Sequence, residues 1–255
     1  MQKIIVCTTV LLFFIFICSC SAENEAKALL YHQISEQVED PYNLCELSAD
    51  AFEQQIKWLY DNGYKSVTVS DMFQLIDNGV LPEKVVAITF DDGYPETYSV
   101  AYPILSKYGF VATAYVIAIG IDTPDGMTGD QLRELYNNGW EVGSHSMWHI
   151  DLTDPNNLEK LNNETCDTRG KISETTGISK ENIKAFAYPY GLVNDRVAEK
   201  VYKCGFSSGG CLGTLGVSSE TGRFCFSRHT IASNIEIEDF VQIFTFYNSV
   251  EATPL

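Results

Sequence analysis

Two adjacent carboxylates, Asp91 and Asp92, close the run VVAITFDDGY (Val85 to Tyr94), and two histidines four residues apart, His145 and His149, lie in GSHSMWHIDL. Two imidazoles and one carboxylate are a donor set with which zinc is held at catalytic sites that keep a further position open for water. The spacing of His145 and His149 predicts one side of a helical turn, from which both rings converge on one ion. Either Asp91 or Asp92 supplies the oxygen donor, and the other is left to act as a base on the attacking water. Ser146 stands where a zinc protease helix carries its glutamate, which speaks against that class. His32 and His229 complete the four histidines of the chain, and each of the four falls at or just past the end of an expected strand.

Such a site needs elements that bring distant residues to one place. Val85 to Phe90 reads as a buried strand running into Asp91 and Asp92, with Gly93 free to turn the backbone sharply. The runs KALLYHQI, KSVTV, VATAYVI, WEVGSH, KAFAYP, FSSGGCL and FCFSRHTI read as further strands. Helices are expected between them: Ser48 to Asn62, Met72 to Ile76, Thr97 to Tyr108, Thr128 to Asn138, Asn157 to Thr176, Asp195 to Cys204 and Glu236 to Phe246. About eight strands alternating with helices predict a single α/β domain closed as a complete or distorted (β/α) barrel, with a doubly wound open sheet as the alternative. In such folds, charge at the C-terminal end of a strand is more often functional than charge on a helix face.

The chain has 255 residues, 45% of them hydrophobic, enough to bury one large core. Its formal net charge of −17 disfavours nucleic acid and anionic lipid as partners, since both require clustered Lys and Arg. The first 22 residues read as an export signal: Lys3, an apolar run from Ile4 to Cys18 too short to span a membrane, then small residues. Ile17-Cys18-Ser19-Cys20 also fits a lipoprotein leader that would leave Cys20 lipidated, so residues 23–255 form the expected domain, exported and with a lipid anchor as its one route to a membrane. Five cysteines remain in the folded part, Cys45, Cys166, Cys204, Cys211 and Cys225. An odd number leaves at least one unpaired, and the pairing is open. No Cys-x-x-Cys pair suggests a structural zinc ribbon.

In order and spacing, TFDDGY, SHSMWHIDL and FAYPYG resemble the first three motifs of the polysaccharide deacetylase family with NodB homology. The likeness runs from about Tyr31 to Phe246. LLYHQI and LPEKVVAITFDDGY are most similar to the extracellular branch acting on poly-N-acetylglucosamine and its relatives acting on cell-wall glycans. The resemblance implies a distorted barrel in which Asp91 is the catalytic base and Asp92, His145 and His149 hold a divalent metal, Zn2+ or else Co2+ or Ni2+. It implies hydrolysis of N-acetyl groups from N-acetylglucosamine residues of a polysaccharide, with the backbone N–H of Tyr190 at the oxyanion. A monomer is expected. His229, in the region of the family's last motif, is the candidate acid for the departing amine, and His32, from the branch that begins Tyr-His, is the second.

The sequence departs from the family pattern at three places. Ala187 stands where the third motif carries an arginine, a role Arg228 can fill from another strand; the fourth motif has no counterpart between Gly205 and Glu220; and the last motif reads FSRHT rather than Leu-x-His. These departures keep a second reading open, a non-catalytic surface protein that binds glycans through aromatics such as Trp148 and Tyr190. A third is an amidase acting on a small cyclic amide.

Overall fold

The computed structural model describes residues 25–38, 42–215, 217 and 222–245. The expected leader with Cys20, and the end of the last helix at Phe246, lie outside the described residues. The chain begins β1 (Lys27–Tyr31), β2 (Gln33–Ser35), β3 (Glu46–Ser48), α1 (Ala49–Asp61), β4 (Lys65–Val67), α2 (Val69–Asp77) and β5 (Val85–Phe90). It continues α3 (Tyr102–Lys107), β6 (Thr113–Val116), α4 (Gly129–Asn137), β7 (Glu141–Ser144), α5 (Leu161–Thr176) and β8 (Ala185–Ala187). Then come α6 (Asp195–Lys203), β9 (Ser208–Leu212), β10 (Phe226–Thr230) and α7 (Ile237–Thr245).

Seven parallel strands close a barrel, because β1 pairs with β5 on one edge and with β10 on the other, while β5 to β10 follow one another round the ring. The expected barrel is therefore the observed architecture. β4 stays outside the ring, pairing Lys65 to Val67 with the first half of β5, and β2 and β3 form a separate two-stranded sheet at the rim. All six residues of β5 are buried, as a strand packed on both faces requires.

Alternation sorts the strand residues between two cores. Leu29, Tyr31, Val86, Ile88, Phe90, Ala114 and Val142 face outward and pack beneath the helices. Ala28, Val85, Ala87, Tyr115, Ala185, Ala187 and Phe226 face inward, where Val69, Met72, Phe73 and Ile76 of α2 join them and plug the N-terminal end. Tyr115 fits the interior because its neighbours are small: a Cβ on Gly143 would stand 2.6 Å from its ring.

Local signals in the sequence explain the helix ends. Ser48 accepts from the Ala51 amide to cap α1, and Thr128 with Gln131 forms a reciprocal capping box on α4. The single helix expected over Thr97 to Tyr108 is instead a π-helical turn, Thr97–Ala101, followed by α3. Pro103 accounts for the break, since it has no N–H to give and its ring crowds the carbonyl four residues back. Among the described residues two disulfides form, Cys166 to Cys204 between α5 and the end of α6, and Cys211 to Cys225 between β9 and the approach to β10. Cys45 is free. Among the described residues no helix is long and apolar enough to cross a membrane.

Candidate active site

The period of two along the barrel strands decides which side chains enter the C-terminal mouth. On β5, Val85, Ala87 and Thr89 point inward, and Asp91 is next in that series. On β7 the inward series is Glu141, Gly143, His145. On β10, Phe226 and Arg228 point inward, which turns His229 outward.

Asp91 is 3% exposed and Arg228 0%, and they meet in a bidentate ion pair, Nη1 to Oδ1 at 2.6 Å and Nη2 to Oδ2 at 2.8 Å. Burial alone would push the Asp91 carboxyl up; the Arg228 guanidinium, with His145 beside it, outweighs that and holds it down to about 2. Arg228 fits there because Gly210 faces it, where a Cβ would lie 2.8 Å from Nε. Arg228 from β10 thus meets Asp91, while Ala187 offers only its carbonyl to the mouth.

Asp92 adopts a left-handed backbone, φ 70°, and so does Gly93, φ 82°, where a Cβ would press on Val116 at 3.1 Å. This turn swings the Asp92 carboxylate back over the barrel. Its Oδ1 lies 3.5 Å from Nε2 of His145 and 3.5 Å from Nε2 of His149. Two ligands about 2.1 Å from a tetrahedral ion stand roughly 3.4 Å apart, so these separations suit a shared divalent cation and are long for direct hydrogen bonds. Asp92 Oδ1 is buried without a hydrogen-bond partner. His145 Nδ1 donates to the Ala187 carbonyl at 2.8 Å, which leaves the Nε2 lone pair facing Asp92. Burial, with His145 adding to it, lowers the pKa of His149 and favours the neutral ring that binds metal. The donor set fits a divalent metal.

The two histidines do not share a helical turn, which corrects the sequence expectation. His145 ends the inward series of β7, and residues 145–150 form a loop in which Ser146 and His149 both take positive φ, 66° and 55°. Three residues hold this strained loop. Ser146 Oγ accepts from the His149 amide at 2.9 Å, and Glu164 Oε2 accepts from the amides of Met147 and Trp148 at 3.1 and 3.0 Å. The Tyr190 ring packs on His149, centroids 4.6 Å apart, and its hydroxyl donates to the His149 carbonyl. Tyr190 also has a left-handed backbone, φ 60°. Among the described residues, four of the five non-glycine residues with positive φ are therefore in this site, a concentration of strain typical of functional centres.

His32 follows β1 in the inward series of Ala26 and Ala28. Its charge acts on both Asp91 and His149, and its Nδ1 is buried without a partner. His229 lies on the outer face, where burial lowers its pKa and the charge acting on it is that of Lys27. The structure thus brings Asp91, Asp92, His145, His149, His32 and Tyr190 together and leaves His229 apart, a correction that follows from strand parity alone. Glu164 was missed. It sits on a polar helix, but it shares a face with Leu161, Thr165, Thr168 and Ile172, and that buried stripe was the signal. Trp148 and Tyr190 stand 58% and 57% exposed beside the mouth.

A parallel barrel with a carboxylate–imidazole donor set at its C-terminal mouth defines the class, a (β/α) barrel with the makings of a hydrolytic metal centre. Residues 78–209 match the family model for polysaccharide deacetylase. The chain belongs to the polysaccharide deacetylase family. It is similar to YxkH of Bacillus subtilis (strain 168), named as a polysaccharide deacetylase, with 32% identity over 197 residues, 76% of this chain and 64% of that protein. It is 28% identical over 237 residues to the poly-beta-1,6-N-acetyl-D-glucosamine N-deacetylase of Staphylococcus aureus (strain MRSA252), covering 83% of this chain and 80% of that protein. Among solved structures it resembles the Streptococcus pyogenes deacetylase PplD in complex with acetate, at TM-score 0.78 and 27% identity, over 86% of this chain and 98% of that one.

Proposed function

We propose that this protein is an exported, metal-dependent hydrolase that removes N-acetyl groups from N-acetylglucosamine residues of an extracellular or cell-wall polysaccharide, acting as a monomer. The observation that carries the reading is the meeting of Asp92, His145 and His149, each donor atom within 4.8 Å of the others, beside an ionised Asp91. Similarity to a deacetylase that, by its name, acts on poly-beta-1,6-N-acetyl-D-glucosamine supports this choice of substrate. The apolar leader and Cys20 support export and a lipid anchor.

Asp92, His145 and His149 would hold the metal, Zn2+ by donor type, with Co2+ or Ni2+ also suited to it. When bound, a divalent ion supplies a Lewis acid and lowers the pKa of a coordinated water. The protein's own groups do the rest. Asp91, kept ionised by Arg228, accepts the proton of the attacking water. The backbone N–H of Tyr190 faces the oxyanion that develops on the acetyl carbonyl. His32 delivers the proton that the amine needs on leaving. His229 has no part in this scheme, because its strand turns it out of the barrel. Trp148 and Tyr190 offer aromatic faces on which sugar rings can stack.

Acetate release from N-acetylglucosamine oligomers, with zinc, cobalt or nickel added, tests the reading. Asp91→Asn is expected to abolish turnover and keep the metal, whereas His149→Ala is expected to lose both. No acetate from any oligomer with any of the three metals would refute it, and glycan binding without turnover would favour the non-catalytic alternative.

A further inference from the structure

Beside the catalytic mouth lies a cavity of about 600 Å3, within the range of small-ligand pockets, lined chiefly by Gln33, Ser35, Glu36, Asn43, Glu46 and Glu96. Its position follows from the chain. Gln33 comes directly after His32, and Glu96 four residues after Asp92. Glu46 follows Cys45, whose thiol is pushed up by burial and by the charge of Asp92. The β2 and β3 pair presents this surface by alternation: Gln33 stands opposite Glu46, and Ser35 shares their face, while Ile34 and Leu47 turn into the core.

The acid groups of the cavity are partly withdrawn from water. Glu46 is only 5% exposed. Glu96 Oε2 is buried without a hydrogen-bond partner. A buried carboxylate oxygen left unpaired, as Glu96 Oε2 is, is costly, and in native proteins such atoms are usually completed by a partner. The lining contains three carboxylates and no Lys, Arg or His. Its occupant is therefore a cation rather than an anion. The space exceeds that of a bare ion, and the amide and hydroxyl side chains of Gln33, Asn43 and Ser35 match a polyhydroxylated body.

We propose that this cavity is a subsite for a cationic amino sugar, an already deacetylated glucosamine unit of the same polymer whose neighbouring N-acetylglucosamine occupies the mouth. The inference rests on the deacetylase reading above and extends it to substrate preference. The ammonium group pairs with Glu46 and Glu96, and the sugar hydroxyls meet the amide and hydroxyl side chains. The product of one turnover thereby becomes a recognition element for the next, and deacetylation spreads along the polymer in blocks.

Isothermal titration of the full chain with tetramers of glucosamine and of N-acetylglucosamine, identical in linkage, tests the proposal. The glucosamine tetramer is expected to bind at least tenfold more tightly, with the difference shrinking as salt is added. Glu46→Gln and Glu96→Gln, which remove charge and keep shape, are each expected to weaken glucosamine binding at least fivefold and leave the acetylated tetramer unaffected. Equal affinities for the two tetramers, or variants that bind glucosamine as the parent does, would overturn it. Acetate release from acetylated oligomers is followed in parallel. Its absence counts against the deacetylase reading, and its presence without any glucosamine preference counts against the subsite alone.

Discussion

Replacing Arg228 by Met leaves the Asp91 carboxylate in the barrel interior without its countercharge. The pair is fully buried and bidentate, so two estimates bound its weight. The Asp91 carboxyl falls from its ordinary 3.8 to about 2, which at about 1.4 kcal/mol per tenfold change corresponds to roughly 2.5 kcal/mol. Removing one partner from a buried ion pair costs about 3–5 kcal/mol, because the remaining charge is left uncompensated. For a domain of this size, that cost lowers Tm by roughly 6–20 °C. The sign of the pH dependence follows. Because the folded value lies below the ordinary one, the pair contributes stability above about 3.8, and that contribution is lost as pH falls through about 2. The gap between Arg228→Met and the parent should therefore be full near neutrality and close in acid. Urea and thermal denaturation of the chelator-treated protein measure it, with Asp91→Asn and the double variant completing a cycle whose coupling is expected to exceed about 2 kcal/mol. A deficit below about 1 kcal/mol, or one that does not change with pH, would refute the assignment of Arg228 as the group that orients and ionises Asp91.

Glu164→Ala removes the acceptor that ties the Met147 and Trp148 amides. It is expected to weaken metal binding about ten- to a hundredfold, with Glu164→Gln restoring most of the loss, as read by competition with a chromogenic chelator. Glu141, held by Ser70 and Thr113 under the barrel, has its carboxyl raised above 4.5, chiefly by burial. Stability that its protonated form provides is present below 4.5 and lost as pH rises through the folded value, so Glu141→Gln is expected to flatten the fall of Tm with rising pH. An unchanged slope in thermal melts would exclude this role. Gly210→Ala places a methyl group 2.8 Å from Arg228 Nε and is expected to destabilise the fold by about 1–3 kcal/mol in urea, with turnover reduced through displacement of Asp91.

The residues of the site were legible in the chain because each sits where a strand pattern ends. Six buried residues running into Asp91 and Asp92 made β5 and its terminus plain, and the alternation of strands with capped helices made a barrel the natural closure. What the one-dimensional pattern could not supply was direction. His145 and His149 have helical spacing, yet the chain between them is a strained loop held by Glu164 and Tyr190, whose contacts come from distant elements. His32 and His229 look alike in sequence, each just beyond a run of apolar residues. The parity of β1 and β10 turns one toward Asp91 and the other toward Lys27. The same parity carries Arg228 into the barrel, where the bare face of Gly210 leaves room for it, so an arginine from β10 meets Asp91 although Ala187 stands at the third-motif position. Sequence thus determined which chemical groups are available and roughly where each strand delivers them. Only barrel closure decided which of them share a space, because a one-residue change of register sends every side chain of a strand to the opposite face.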